Sequence, residues 1–344
     1  MIRYFKQLFF PINKQPLRKY KTYGTAVLML LVAACSKEVI EQFAGFKTPY
    51  YFPATTYEFS NNHVSKAGFE LGKMIFYDST LSIDNSTSCA SCHMQSSAFT
   101  HHEHSLSHGL HGSLTRRNAP PIMNLAWSNS FMWDGSVDKL DQQPVKPFTN
   151  SLEMGETMPN ILKKVNRSGM YRSMFKEAFG TVVATEDQLL KALSQFMVMA
   201  VSNEAKYDSV RRKQASFSSN EQAGYEIFVQ KCNGCHSEPL FTDNSFRNTK
   251  LPPNELLDSG RYVVTRNISD LYRFKVPSLR NLGYTKPYMH DGRFSTIDKV
   301  LDHYNANLFS ISADERSKLK AFLLTLDDKV FVSNPLFAKG TMNH

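Results

Sequence analysis

The sequence predicts a mainly α-helical chain organised as two domains. Three observations predict it. The pentapeptide Cys89-Ala90-Ser91-Cys92-His93 has a second copy far downstream, Cys232-Asn233-Gly234-Cys235-His236. Each copy follows a stretch with the apolar spacing of a helix. The chain has 344 residues, enough for two cores. C-x-x-C-H is the spacing of a covalent c-type haem attachment site. Two thiols three residues apart can each add to a vinyl group of one porphyrin, and the next His lies under the ring where imidazole binds iron. A zinc half-site usually has its partner nearer in the chain or as an H-x3-5-H pair, and a redox dithiol needs no following His. Two c-type cytochrome domains are therefore expected, each built around one covalently attached haem that supplies much of the apolar core.

At the N-terminus, residues 1–34 hold Arg3, Lys6, Lys14, Arg18, Lys19 and Lys21 and no acid. Without them the net charge of +9 falls to +3, so no nucleic-acid partner is inferred from the basic pI. The basic segment, the short apolar run from Thr25 to Val32 and the small residues after it read as a signal peptide. The run is shorter than the ~20 residues a spanning helix needs. Val32-Ala33-Ala34-Cys35 resembles a bacterial lipobox, which accounts for the one Cys of five that the haems leave over. The alternative is an ordinary cleaved signal with an incidental Cys. A lipid on Cys35 would be the sole membrane attachment, and the expected location is the cell envelope (periplasm), where covalent haem attachment takes place. Residues 35–52 then read as a tether, 53–212 as the first cytochrome domain and 213–344 as the second.

From Ser65, residues Ala67, Phe69, Leu71, Met74, Ile75 and Phe76 lie on overlapping helical faces and lead towards the first haem motif. Thr185 is the expected N-cap of another helix, with Gln188 at the capping-box position and Leu189, Leu190, Leu193, Phe196 and Met197 on its apolar face. Met197 and Met199 read as core rather than as iron ligands. Lys206 to Ser219 is charged and polar and reads as the interdomain linker. Asn220 to Lys231 runs as a helix into Cys232, with Ile227 and Phe228 towards the second haem. Ser295-Thr296 opens a last helix carrying His303 and Tyr304. No repeat beyond the haem motifs is evident.

Between and after the two motifs stand further segments. They are the His-rich loop His101, His102, His104, His108 and His111; Arg117-Asn118-Ala119-Pro120; Phe131-Met132-Trp133-Asp134-Gly135; Gln143; and Leu152-Glu153-Met154-Gly155. Phe274-Lys275-Val276-Pro277-Ser278-Leu279-Arg280-Asn281 and Pro287-Tyr288-Met289-His290-Asp291-Gly292-Arg293-Phe294 follow the second. In this order they resemble the bacterial di-haem cytochrome c peroxidases and their MauG relatives, from about Leu71 to about Asn305. The resemblance implies a peroxidatic first haem and a second haem that takes up electrons. It makes Glu153, twenty positions after Trp133, the distal acid–base residue, and Gln143, ten after Trp133, the distal-pocket amide. Taken alone, a Glu is most often a solvated carboxylate. Trp133 matches the family's tryptophan between the haems; Trp127 reads as core. A calcium ion is implied between the domains, held by the Asn118 side chain and the carbonyls of Thr285 and Pro287, oxygen donors that suit a hard cation. Taken alone, Asn118 is a structural residue of a turn.

The sixth iron ligands separate the subclasses. Seventeen residues after Pro287, where typical peroxidases carry Met, this chain has Tyr304, as MauG has Tyr. Met289 is the rival ligand. His303 is adjacent, but neighbouring helix residues point about 100° apart. For the first haem, the position of the peroxidases' distal His falls on Leu110, with His111 beside it and His108 two before. Either could ligate, or none does and the iron stays open. His290 resembles a residue near the haem edge; His63 and His344 have no role. The leading expectation is reduction of hydrogen peroxide to water, with electrons from a small cytochrome or cupredoxin. A second is MauG-like, peroxide-driven oxidation of a partner protein through a high-valent di-haem state. A third is a di-haem carrier without turnover, against which Glu153 and Gln143 argue. A homodimer is implied by the resemblance alone.

Overall fold

The computed structural model describes residues 43–101 and 104–340. The signal segment, the lipobox with Cys35, and His102 and His344 lie outside the described residues. From Ala44 onward the chain forms one compact unit. Its main helices are α1 (Lys66–Tyr77), α2 (Met158–Arg167), α3 (Gly169–Phe179), α4 (Glu186–Met199), α5 (Lys206–Arg211), α6 (Ser219–Lys231), α7 (Ile297–Asn307) and α8 (Ala313–Leu323). Strands β1 (Phe246–Arg247) and β2 (Phe274–Lys275) pair antiparallel, Phe246 opposite Lys275. Among the described residues no helix is long and apolar enough to cross a membrane.

Local chemistry sets the helix ends. Ser65 caps α1 by accepting from the Gly68 amide, and Thr185 and Gln188 form the expected capping box at α4. Ser218 with Glu221 starts α6 in the same way. Such caps satisfy amides that the helix itself leaves unpaired. α1 crosses α4 at Gly72, where any Cβ would collide with the Ala192 carbonyl. α6 crosses α8 at Gly224, where a Cβ would strike the Lys318 carbonyl. Each helix that leads to a haem motif is thus pressed against a partner through a glycine.

Two apolar cores result. Phe69, Phe76, Phe99 and Phe196 form an aromatic cluster beside the first motif. Phe331 and Phe337 from the chain end join it, each about 6 Å from Phe99, centre to centre. The second core joins Tyr207, Phe228, Phe241, Leu301, Leu319 and Phe322.

Four expectations need correction. Lys206 to Ser219 is not a loose linker: α5 buries Tyr207 and Asp208, and Arg280 grips Asp208 through two bonds of 2.8 and 2.9 Å. The charged composition of the stretch concealed two inward-facing residues. α7 is not the last helix, since α8 follows with Leu319, Phe322 and Leu323 in the core. The end of the segment read as a tether is docked: Phe46 and Phe52 pack on Trp127, and the Tyr51 hydroxyl donates to Asp208 at 2.7 Å. A second internal repeat also exists. Phe131-Met132-Trp133-Asp134-Gly135 and Tyr288-Met289-His290-Asp291-Gly292 form the same turn, with left-handed Met and Gly and a bridge closing each, Phe131 to Val137 and Tyr288 to Phe294. Trp133 and His290 are the corresponding residues.

Candidate functional site

At the first motif, Cys89–Cys92 is a single helical turn, which sets the two thiols on one side, one turn apart. His93 follows as its C-cap. Its Nδ1 bonds to the Phe99 carbonyl at 2.7 Å. That carbonyl is aimed by two successive left-handed residues, Ala98 and Phe99. At the second motif the His236 Nδ1 lies 3.2 Å from the Phe241 carbonyl and 3.1 Å from that of Pro277. Phe241 is again left-handed. A carbonyl on Nδ1 fixes the tautomer and orientation that leave Nε2 for a metal. Burial pushes His93 down to about 4 and lowers His236 as well, so both are neutral at physiological pH, as an iron ligand must be. All four cysteines are free of disulfides. The thiols, imidazoles and aromatic surroundings fit two covalently held haems. Sequence reasoning missed the carbonyls of Phe99, Phe241 and Pro277; the Phe-Thr pair after each motif was the available signal.

Glu153 lies close enough to Cys89 and Cys92 to act electrostatically on both thiols. Burial raises its carboxyl above the usual range, and the bond from the Asn150 amide at 2.7 Å opposes the rise. A carboxyl whose pKa is raised is a better proton acceptor than a free one, which suits an acid–base role. Gln143 stands ten residues earlier, its amide 3.7 Å from the sulfur of Met132, the neighbour of Trp133.

Trp133 is anchored from both halves of the chain. Its indole donates to the Asn118 carbonyl at 2.8 Å, and its own carbonyl receives the Lys275 amide of β2 at 2.8 Å. The Asn118 amide in turn donates to the His290 carbonyl at 2.8 Å. The Lys275 ammonium reaches back to the Ser130 carbonyl and lies 3.4 Å from the Ser128 hydroxyl. Burial pushes that amine down to about 8. Arg117 adds ion pairs to Asp134 at 2.7 Å and Asp258 at 2.6 Å.

Tyr304 stands near Cys232 and Cys235, and burial pushes its phenol up to about 12. Among the described residues its hydroxyl has no hydrogen-bond partner. His303 is committed elsewhere, its Nε2 2.9 Å from the Thr249 carbonyl and its Nδ1 3.3 Å from the Asn307 amide. Met289 occupies a left-handed turn position.

Of the loop histidines, His108 and His111 both lie at the surface. His111 points outward with its side chain 79% exposed, 3.8 Å from Asp84. His108 is exposed and meets the His104 ring edge-on. Leu110 is instead buried and packs over Gly155, beside Glu153. The loop is held there by the bridge of His108 with Leu114 and the bond from the Ser113 hydroxyl to the Leu152 carbonyl. At the calcium positions, the Asn118 amide nitrogen donates to the Ser105 carbonyl, and Asn118 lies against the turn that follows Pro287. Thr285 donates its amide to the Asn281 carbonyl. Among the described residues no group of three or more His, Cys, Asp or Glu is arranged for a metal ion. Such a cation would rest on amide and carbonyl oxygens.

Comparison with known proteins gives consistent likenesses. The family described as di-haem cytochrome c peroxidase matches residues 66–216. The chain is 32% identical over 312 residues to the methylamine utilization protein MauG of Methylorubrum extorquens, covering 83% of this chain and 85% of that protein. It is 33% identical over 264 residues to the cytochrome c551 peroxidase of Nitrosomonas europaea, covering 75% of this chain and 79% of that protein. Among solved structures, a MauG-like protein associated with microbial copper homeostasis superposes with a TM-score of 0.80 at 28% identity, over 86% of this chain and 99% of that one.

Proposed function

The chain belongs to the di-haem cytochrome c peroxidase and MauG family, and on that premise we propose that it reduces hydrogen peroxide to water at the haem held by Cys89, Cys92 and His93. Electrons come from a small cytochrome or cupredoxin by way of the haem held by Cys232, Cys235 and His236. When bound, the haems supply iron that takes up peroxide and stores oxidising equivalents. The protein's part is proton handling, orientation and electron routing. Glu153 takes a proton from the peroxide oxygen nearer the iron and returns it to the outer oxygen as water leaves. Gln143 orients the distal pocket. Trp133 bridges the halves through Asn118 and Lys275 and carries electrons between them. The observation that carries this reading is the half-buried carboxyl of Glu153, its pKa raised by desolvation, beside the first motif's thiols. A carrier without turnover has no use for it. Replacing Glu153 by Gln tests the role: peroxide consumption is lost, whereas unchanged turnover would remove Glu153 from the mechanism.

A second reading, peroxide-driven oxidation of a partner protein, is favoured by two observations. Leu110, which the resemblance sets at the peroxidases' distal-His position, is buried, and the Tyr304 hydroxyl, without a hydrogen-bond partner among the described residues, lies by the second motif. Testing reduced cytochrome as electron donor separates the two readings. A calcium ion on Asn118, Thr285 and Pro287, a lipid on Cys35 and a location in the cell envelope complete the proposal. Chelation of that ion is expected to weaken coupling between the haems, measured by redox titration.

A further inference from the structure

The two haem motifs hold their histidines differently. Among the described residues, Nδ1 of His93 meets one carbonyl, that of Phe99, at 2.7 Å. Nδ1 of His236 meets two, those of Phe241 at 3.2 Å and Pro277 at 3.1 Å. One N–H aimed between two acceptors bonds each less strongly than it would bond one at short range. How that N–H is shared depends on how the two carbonyl-bearing segments sit against each other. They are far apart in the chain, since Pro277 is 41 residues from His236. Something has to fix their register.

Arg280 stands where the two segments meet. It is fully buried and follows Pro277 by three residues. Its Nε and Nη2 donate to the carbonyl of Pro239, two residues before Phe241, at 3.0 and 2.8 Å. Its guanidinium lies 5.6 Å from the centre of the Phe241 ring. Ser278 adds a second tie, its hydroxyl donating to the Leu240 carbonyl at 2.6 Å. That hydroxyl also accepts the Arg280 amide at 3.2 Å. The other edge of the guanidinium fork is held by Asp208, through Nη1 at 2.9 Å and Nη2 at 2.8 Å. The Tyr51 hydroxyl donates to the same carboxylate at 2.7 Å, and the Phe52 ring centre is 5.1 Å from the guanidinium. A buried ion pair is weak evidence for stability, because desolvation offsets the attraction. Its place between two segments gives it another use. The paired charges cancel, so it acts on the second motif through position rather than net charge.

We propose that Arg280 is a positioning residue of the second haem: it clamps the segments that carry the Phe241 and Pro277 carbonyls onto Nδ1 of His236, and so tunes that haem's reduction potential. The inference rests on the reading of the second motif as a haem site. Hydrogen bonding at Nδ1 makes the imidazole a more basic ligand, and a more basic ligand favours ferric iron. Loosening the clamp therefore raises the potential. Lysine keeps the charge but lacks the planar fork, so it cannot hold Pro239 and Asp208 together in this geometry. His93 has its own short bond and needs no such clamp.

The test is a spectroscopic redox titration of the full-length holoprotein, as wild type, Arg280→Lys and Ser278→Ala, with each haem followed separately. Arg280→Lys should move the second haem about tenfold towards the ferrous form, a rise of about 59 mV for one electron. Ser278→Ala removes a tie between the segments and no charge. It should move the second haem roughly threefold or more in the same direction, and it keeps the proposal open to refutation should Arg280→Lys not fold. The first haem should move by about twofold or less in either variant. The g values of the second haem's ferric EPR signal should change along with its potential. A residue that only holds the fold together would lower the denaturation midpoint and leave the potential and the EPR signal where they are. That result would overturn the proposal, as would a fall in the second potential or equal shifts at both haems. A pyridine haemochrome assay of the wild type tells the two levels apart. Two haems per chain with unmoved potentials would remove the role of Arg280 alone, whereas one haem per chain would overturn the haem reading and this inference with it.

Discussion

Tyr304 and His303 are adjacent on α7, yet only one is available to an iron. His303 spends both ring nitrogens on Thr249 and Asn307, while the Tyr304 hydroxyl has no partner among the described residues and lies by Cys232 and Cys235. Burial disfavours the free phenolate, and a ferric ion is the cation that would reverse that preference. Tyr304→Phe should therefore abolish a phenolate-to-iron charge-transfer band and alter the second haem's EPR signal, and His303→Ala should leave both in place. The reverse pattern would exchange the two assignments. At this scale the sequence was informative wherever chemistry demands fixed spacing, as in both C-x-x-C-H motifs. It was silent on the Phe99 and Phe241 carbonyls, because a left-handed φ at a phenylalanine leaves little trace in residue type.

Among the elements, α1 with α4 and α6 with α8 are the frames that present the two motifs. Their close crossings depend on Gly72 and Gly224. Gly72→Val should destabilise the first frame by about 1–3 kcal/mol or more, since overpacking there meets backbone rather than a side chain; chemical denaturation of the holoprotein measures it. β2 adds a pH effect through Lys275. Burial holds its folded-state pKa at about 8, below the ~10.4 of an unfolded lysine. Between these values the unfolded chain binds more protons, so this residue's contribution to stability rises with pH across that window. Denaturation midpoints at several pH values should show the rise in the wild type and a flatter curve in Lys275→Met. Capped helices such as α4 were readable because Thr185 and Gln188 state the start in local chemistry. α5 was not, because the charges in and after it, Lys206 and Arg211-Arg212-Lys213, mask Tyr207 and Asp208, the two residues that turn inward.

At the scale of the whole molecule, residues 331–337 return to the core of the first motif. Phe331 and Phe337 pack against Phe99, the Tyr77 hydroxyl donates to the Phe337 carbonyl at 2.8 Å, and Gln95 donates to the Asn334 carbonyl at 2.7 Å. No local pattern announces such a return, and a sequence reading divides the halves too cleanly. Phe331→Ala should destabilise the first-haem core by about 3–5 kcal/mol, visible as earlier loss of the first haem's spectrum on heating. If only the second haem's spectrum shifts, the packing assignment is wrong. Trp133 works at the same scale, held by Asn118 on one side and Lys275 on the other.

The central claim is that Glu153 moves the proton that lets peroxide be cleaved at the first haem. The most direct measurement mixes stoichiometric peroxide with the oxidised holoprotein, wild type and Glu153→Gln, and follows the haem absorption in time. The account predicts a rapid change in the wild type and a rate about 10²–10⁴-fold lower in the variant, with the resting spectra of both haems unaltered. Equal rates in the two proteins would contradict it.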